Sequence, residues 1–163
     1  MLVKNLHSIN ADKILTAYQS LEKGIKWTTS GHKGKQVGLQ YAEGEDYWSS
    51  ATGKHTGADE KLYSHINPYF KNTIFEEIIK EYNLYRTRLM WVEPFVCYSM
   101  HTDSTPRLHI PLITNPECYF VFKIGKIEHL AKDSVYIVDT RWPHTFVNCS
   151  EEKRLHLVGI VDK

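Results

Sequence analysis

From residue 88 onward the chain is written as short runs of β-branched, aromatic and aliphatic residues, broken at intervals by turn formers. Seven such runs occupy residues 89–100, 107–113, 118–124, 127–130, 135–138, 145–148 and 155–161. Between them stand Thr105-Pro106, Asn115-Pro116, Gly125-Lys126 and Lys132-Asp133, residues that favour reversal of the backbone. Seven short strands at this spacing predict an antiparallel sandwich or barrel. The fold class is therefore mainly β, and the remaining sequence must be accommodated around that body.

The first half reads differently. Ile14, Leu15, Tyr18 and Leu21 recur at helical spacing over residues 11–23, with Asn10 suited to cap the start and Gly24 to end it. Residues 35–41 read as a strand among glycines. Residues 42–56 are polar and glycine-containing, which predicts a long loop, and a loop of that length is expected to serve as a lid. Ile74, Phe75, Ile78, Ile79 and Tyr82 predict a second helix over residues 74–82, started by a capping box of Thr73 and Glu76. The expected organisation is a single domain over residues 1–163. Helical support fills about 1–87, and the β core fills about 88–163.

Composition excludes more than it suggests. Lysine plus arginine number 20 and aspartate plus glutamate 19, so no overall field favours nucleic acid or an anionic membrane. Cys97, Cys118 and Cys149 are far apart and form no Cys-x-x-Cys pair, which argues against a disulfide framework and a zinc ribbon. The N-terminus carries no apolar leader, and no stretch approaches a membrane span. A cytoplasmic location with reduced thiols is the expectation. Oligomeric state is not legible.

The chemistry gathers in the β region. His101 and Asp103 are two residues apart after a strand, so in extended backbone both side chains leave one face. His144, at the start of a later strand, is placed to meet them from the facing sheet. Two histidines and one carboxylate are the ligand set that holds non-haem Fe(II) and leaves positions free for a 2-oxo acid and dioxygen. Arg107 with His109, and Arg154 with His156, repeat the same-face geometry. An arginine fork binds a carboxylate through two parallel hydrogen bonds. Inward cations are costly to bury, and are sensible in a cavity that takes an anion.

These residues carry a resemblance. His101-Thr102, the run Arg107-Leu108-His109-Ile110-Pro111-Leu112, Cys118, the run from Val135 to Asp139, His144, and Arg154-Leu155 stand in the order of the aspartyl/asparaginyl β-hydroxylase family. The family belongs to the oxygenases that use Fe(II) and 2-oxoglutarate. The ten-residue interval from His144 to Arg154 is shared. The resemblance covers about the last 65 residues, from Tyr98 on. It implies a double-stranded β-helix, the jelly-roll or cupin-like fold. It implies iron on His101 and His144, and 2-oxoglutarate held by Arg154 at its far carboxylate, with Arg107 and His109 near its metal-binding end. The animal members have glycine where this chain has Asp103. The bacterial proline hydroxylases that look like the same family have aspartate, so Asp103 completes the triad and argues against a halogenase.

The reading is a 2-oxoglutarate- and Fe(II)-dependent dioxygenase that hydroxylates a C–H bond of an amino acid, free or in a peptide, with dioxygen as oxidant. The alternative is a non-catalytic cupin-like module that binds metal or 2-oxoglutarate. Substrate contacts are expected from Arg88, Tyr98 and Trp142. For Arg88 a solvated charge or a structural ion pair is the competing role, and for Trp142 core packing.

Overall fold

The computed structural model describes residues 1–53, 57 and 59–161. In chain order the strands are β1 (Val3–Ser8), β2 (Thr28–Thr29), β3 (Gly34–Gly38), β4 (Gln40–Tyr41), β5 (His65–Ile66), β6 (Leu84–Val92), β7 (Val96–Cys97), β8 (Arg107–Ile113), β9 (Cys118–Phe122), β10 (Lys126–His129), β11 (Ser134–Val138), β12 (His144–Asn148) and β13 (Arg154–Val161). Two α-helices, α1 (Ala11–Leu21) and α2 (Ile74–Glu81), lie in the first half.

A seven-stranded sheet has the order β1-β11-β8-β13-β6-β3-β2, and a four-stranded sheet the order β10-β9-β12-β7. From β6 onward the chain crosses between them, β6, β8, β11 and β13 going to the large sheet and β7, β9, β10 and β12 to the small one. Every pairing is antiparallel. This is a jelly roll, the mainly β fold that the succession of short strands predicts.

The core is double. Outward residues of the large sheet, Val37, Leu89, Leu108, Ile110, Leu112, Leu155 and Leu157, pack with Ala11, Ile14 and Tyr18 of α1 and Phe75, Ile78 and Ile79 of α2. A second cluster fills part of the space between the sheets, where Val92, Tyr136 and Val138 meet Phe120, Phe122 and Phe146. The central strands are therefore buried on both faces.

Both helices form where their patterns place them. Asn10 caps α1 by accepting from the Lys13 amide at 3.0 Å. Thr73 caps α2 by accepting from the Phe75 amide at 3.3 Å, but Glu76 closes its loop one residue early, on the Asn72 amide at 2.6 Å. The first 87 residues are not purely helical support: β1 extends one edge of the large sheet, and β3 with β2 the other. β1 carries a largely exposed, polar sequence without apolar alternation, and so gives no strand signal. The expected strand over 35–41 is broken at Leu39 into β3 and β4.

The described part of the expected lid loop is anchored. Trp48 and Ala51 are buried, the Trp48 carbonyl accepts from the Gly38 amide at 2.9 Å, and Asn67 donates to the Tyr47 carbonyl at 2.9 Å. Lys54, His55 and Thr56 of that loop lie outside the described residues. No helix among the described residues is long and apolar enough to cross a membrane.

Ile110 is fully enclosed between sheet and helices. Replacing it by alanine is expected to destabilise the fold by about 2–5 kcal/mol, read as a lower urea midpoint at unchanged slope.

Candidate metal centre

β12 begins at His144, and the segment after β7 runs back beside it. His101 and His144 form an isolated antiparallel bridge, each amide donating to the other's carbonyl at 2.9 Å. Asp103 continues the segment, its amide on the Thr140 carbonyl at 2.9 Å. The backbone thus delivers the three side chains to one spot, with a ligand atom from each within 4.8 Å of the others.

Both imidazoles are oriented in the same way. Nδ1 of His101 donates to the Ser99 carbonyl at 2.8 Å, and Nδ1 of His144 to the Trp142 carbonyl at 2.9 Å. A carbonyl can only accept, so the proton sits on Nδ1 and the Nε2 lone pair is free to bind a metal. Burial holds His144 below the ordinary histidine range; the Trp142 carbonyl opposes this and the neighbouring His101 adds to it. A neutral ring is the ligand form. Two Nε2 atoms and one carboxylate suit a divalent first-row ion.

The triad stands at a cavity of about 670 Å³ between the sheets, within the range of small-molecule sites. Arg154 lies on its wall, 2% exposed, stacked on the Phe146 ring at 3.7 Å and donating from Nη2 to Nδ1 of His156 at 2.5 Å. Among the described residues its Nε has no partner. Burial pulls this guanidinium down to about 9. His109 shares the wall, packed edge-on against Phe120, and burial holds it far below the usual histidine value, with Arg154 and Arg107 adding to the effect. Arg88 and Tyr98 also line the cavity.

Arg107, expected near the metal-binding end of 2-oxoglutarate, lies on the cavity wall, and there it also holds an internal carboxylate. Its Nη1 and Nη2 donate to Oε2 and Oε1 of Glu60 at 2.9 and 2.8 Å, and Nη2 lies 3.3 Å from Asp103. One expectation needs correction: Trp142, expected to contact substrate, does not line the cavity. Its side chain is half exposed, and its contribution is the backbone carbonyl that fixes His144.

Glu60 is the residue that sequence reasoning missed. Its Oε1 also accepts from Arg86 at 2.8 Å, and its Oε2 from Ser104 at 3.0 Å and Thr105 at 2.8 Å. Burial by itself would raise this carboxyl. The Arg107 hydrogen bonds and charge, with the two hydroxyls, outweigh that and bring it down to about 2.

The sequence model of the family described as Aspartyl/Asparaginyl beta-hydroxylase matches residues 10–162. The chain belongs to this family. Membership reaches well beyond the last 65 residues and takes in both helices and Glu60. No curated protein matches the sequence. Among solved structures, an oxidoreductase of the 2OG-Fe(II) oxygenase family from Burkholderia pseudomallei is 13% identical, with a TM-score of 0.60 over 98% of this chain and 83% of that one. A prolyl-4-hydroxylase from Pseudomonas putida is 12% identical, with a TM-score of 0.52 over 99% and 92%. The DMSP lyase of Ruegeria pomeroyi is 11% identical, with a TM-score of 0.56 over 98% and 68%. At these identities the likeness is one of fold, and it spans oxygenases and a lyase alike. Within the beta-hydroxylase family, what distinguishes this member must be read from its own cavity.

Glu60 generates a prediction. Without its negative charge Arg86 and Arg107 lose their counter-ion, so Glu60→Gln should destabilise the fold by about 3–5 kcal/mol at neutral pH. The carboxyl titrates lower in the fold than its ordinary 4.5, so its stabilisation is complete above about pH 4.5 and is lost as pH falls toward 2. The gap between wild-type and Glu60→Gln denaturation midpoints should therefore narrow across that window. A gap that does not change with pH would assign the loss to packing.

Proposed function

We propose that this protein is a 2-oxoglutarate- and Fe(II)-dependent dioxygenase that hydroxylates a C–H bond of an amino acid, free or in a peptide. One observation carries the reading. The His101, Asp103 and His144 ligand set opens on the same cavity as a buried arginine, Arg154, whose Nε has no partner among the described residues. A metal set alone would fit many sites. A metal set facing a buried guanidinium fits a chelating dicarboxylate.

Nε2 of His101, Nε2 of His144 and the Asp103 carboxylate would hold the metal. Arg107, clamped by Glu60, keeps one oxygen of Asp103 from rotating away. Arg154, braced by Phe146 and His156, would receive the distal carboxylate of 2-oxoglutarate. Phe120 and Phe146 line this part of the cavity with apolar surface, which excludes water and strengthens the ionic contacts. When bound, the iron supplies the activation of dioxygen that couples the conversion of 2-oxoglutarate to succinate and carbon dioxide with insertion of one oxygen atom into the substrate C–H bond. The comparisons add support by analogy: the prolyl hydroxylase from Trichoplax adhaerens with this fold was solved with a peptide fragment of hypoxia-inducible factor.

Two variants test the assignment. His144→Ala should abolish stoichiometric binding of Fe(II), Mn(II) or Zn(II), measured by elemental analysis after dialysis. Full retention of metal would remove the triad from the reading. Arg154→Ala should weaken 2-oxoglutarate by on the order of 30-fold or more in calorimetric titration of the Mn(II) protein, as expected on losing a buried charge-assisted pair. Succinate release by the wild type with Fe(II), 2-oxoglutarate and air is the activity to measure, and its absence would leave a binding module.

A further inference from the structure

Four arginines line the cavity: Arg86, Arg88, Arg107 and Arg154. Glu60 takes Arg107 with both oxygens and Arg86 with one. Arg154 has its role in the proposed reaction. Arg88 is left over. It is 6% exposed, and its Nη1 donates to the side-chain oxygen of Gln36 at 3.2 Å. That oxygen also accepts from the Gly53 amide at 3.1 Å. Among the described residues the buried Arg88 Nε has no partner and no ion pair includes Arg88. Burial pulls its guanidinium down to about 9, with Arg86 and Arg107 lowering it further and Asp103 and Glu60 opposing. A neutral amide is poor compensation for a buried charge. The remaining Nε–Nη2 edge is the face that a planar carboxylate engages through two parallel bonds.

The far carboxylate of 2-oxoglutarate does not meet this need. Along the paired strands Arg88 stands opposite Val158, and Arg154 stands opposite Val92, four residues further on β6, or about 13 Å of strand. Their electrostatic surroundings also differ. The charges of Arg86, Arg107, Asp103 and Glu60 act on Arg88, whereas Arg154 is influenced chiefly by the neutral Tyr98 and Cys118 and lies beside His156. Arg88 thus belongs to the Asp103 side of the cavity, beside the proposed reaction centre. The Tyr98 hydroxyl, buried and without a partner among the described residues, senses both guanidinium groups and offers a further donor. Charge points the same way. Four arginines face two carboxylates, Glu60 and Asp103, while Fe(II) and dianionic 2-oxoglutarate cancel each other. The loaded cavity keeps an excess of positive charge, which favours an anionic second guest and disfavours a cation.

We propose that Arg88 is the receptor for a substrate carboxylate, and that the molecule hydroxylated is a small free carboxylic acid of the amino-acid type and not an internal residue of a peptide. This rests on the reading of the site as a 2-oxoglutarate oxygenase. An internal residue presents a neutral amide where a free amino acid presents its carboxylate, and an amide leaves the Arg88 charge uncompensated.

The test is thermal unfolding of the Mn(II) protein with 2-oxoglutarate, titrated with each of the twenty free L-amino acids and with their carboxamides. N-acetylated aspartate carboxamide is added as the mimic of an internal acidic residue. At least one free acid should raise the wild-type Tm by about 3–5 °C at ten times its Kd, and its carboxamide should not. Arg88→Met should lose that shift while unfolding no lower than the wild type without amino acid, since a buried charge has gone. Arg88→Lys should regain part of the shift. Both variants should still take the separate shift caused by 2-oxoglutarate. If 2-oxoglutarate fails to shift the wild type, the underlying oxygenase reading falls. If it does shift the wild type, the Arg88 assignment is overturned by any of three results: carboxamides or the blocked aspartate acting as well as the acids, Arg88→Met keeping the acid shift, or no acid acting on the wild type.

Discussion

The rest of this structure depends on the central strands being buried on both faces. A strand has period two, so each one must divide its residues between two destinations. In β8 the even positions Leu108, Ile110 and Leu112 face the helices, and the odd positions Arg107 and His109 face the cavity. β13 repeats the division, with Leu155 and Leu157 outward and Arg154 and Val158 toward the cavity. The apolar rows fasten the sheet to α1 and α2. That fastening supports the unfavourable burial of guanidinium and imidazole groups on the other side. Helices that touch no part of the site are therefore a condition for its existence.

The same periodicity decides how much was readable from residues alone. β8 and β13 mark themselves, because each opens with basic and apolar residues in alternation, Arg107-Leu108-His109-Ile110 and Arg154-Leu155-His156-Leu157, and the observed bounds agree with the expected runs to within a residue. The helices mark themselves through their stripes and caps. The His101, Asp103 and His144 cluster could be anticipated because the first two stand two residues apart and His144 opens β12, although His101 and Asp103 themselves lie beyond the end of β7. β1 was hidden because an edge strand needs only backbone pairing with β11, and its side chains are free to be polar. Glu60 was hidden for another reason. Its partners Arg86 and Arg107 are 26 and 47 residues away, and nothing local distinguishes it from a solvated glutamate. Trp142 misled because proximity to His144 along the chain is not proximity within the cavity: its carbonyl reaches back to the ring, and its indole turns outward.

Glu60 also shows how one carboxylate can serve two ends. It compensates Arg107, and Arg107 in turn lies against Asp103. Orientation of the proposed metal ligand thus originates in a segment that contributes nothing to the metal itself. The histidines need no such relay. Each is fixed by the carbonyl two residues before it, Ser99 for His101 and Trp142 for His144. A carbonyl at that offset sets the tautomer as soon as the backbone is formed. The asymmetry is physical. A neutral ring with one donor to satisfy can be fixed locally, whereas a carboxylate must be held by charge, and here that charge comes from elsewhere in the fold.

Where the molecule leaves its polar groups unpaired is also informative. Seven buried side-chain atoms of the described residues lack hydrogen-bond partners, and four of them belong to residues lining this one cavity: Arg86, Arg88, Tyr98 and Arg154. An interior optimised for stability alone would scatter such atoms or remove them, since each carries a desolvation penalty of about 1–3 kcal/mol. Their concentration in one place, beside a ligand set for a metal ion, separates a cost tolerated for binding from ordinary imperfections of packing. Trp48 and Thr114 do not line the cavity, and neither is charged. The charged orphans are all guanidinium nitrogens, and all three are on the cavity wall. The wall is thus complementary to anions, and the fold accepts lower stability to keep it so.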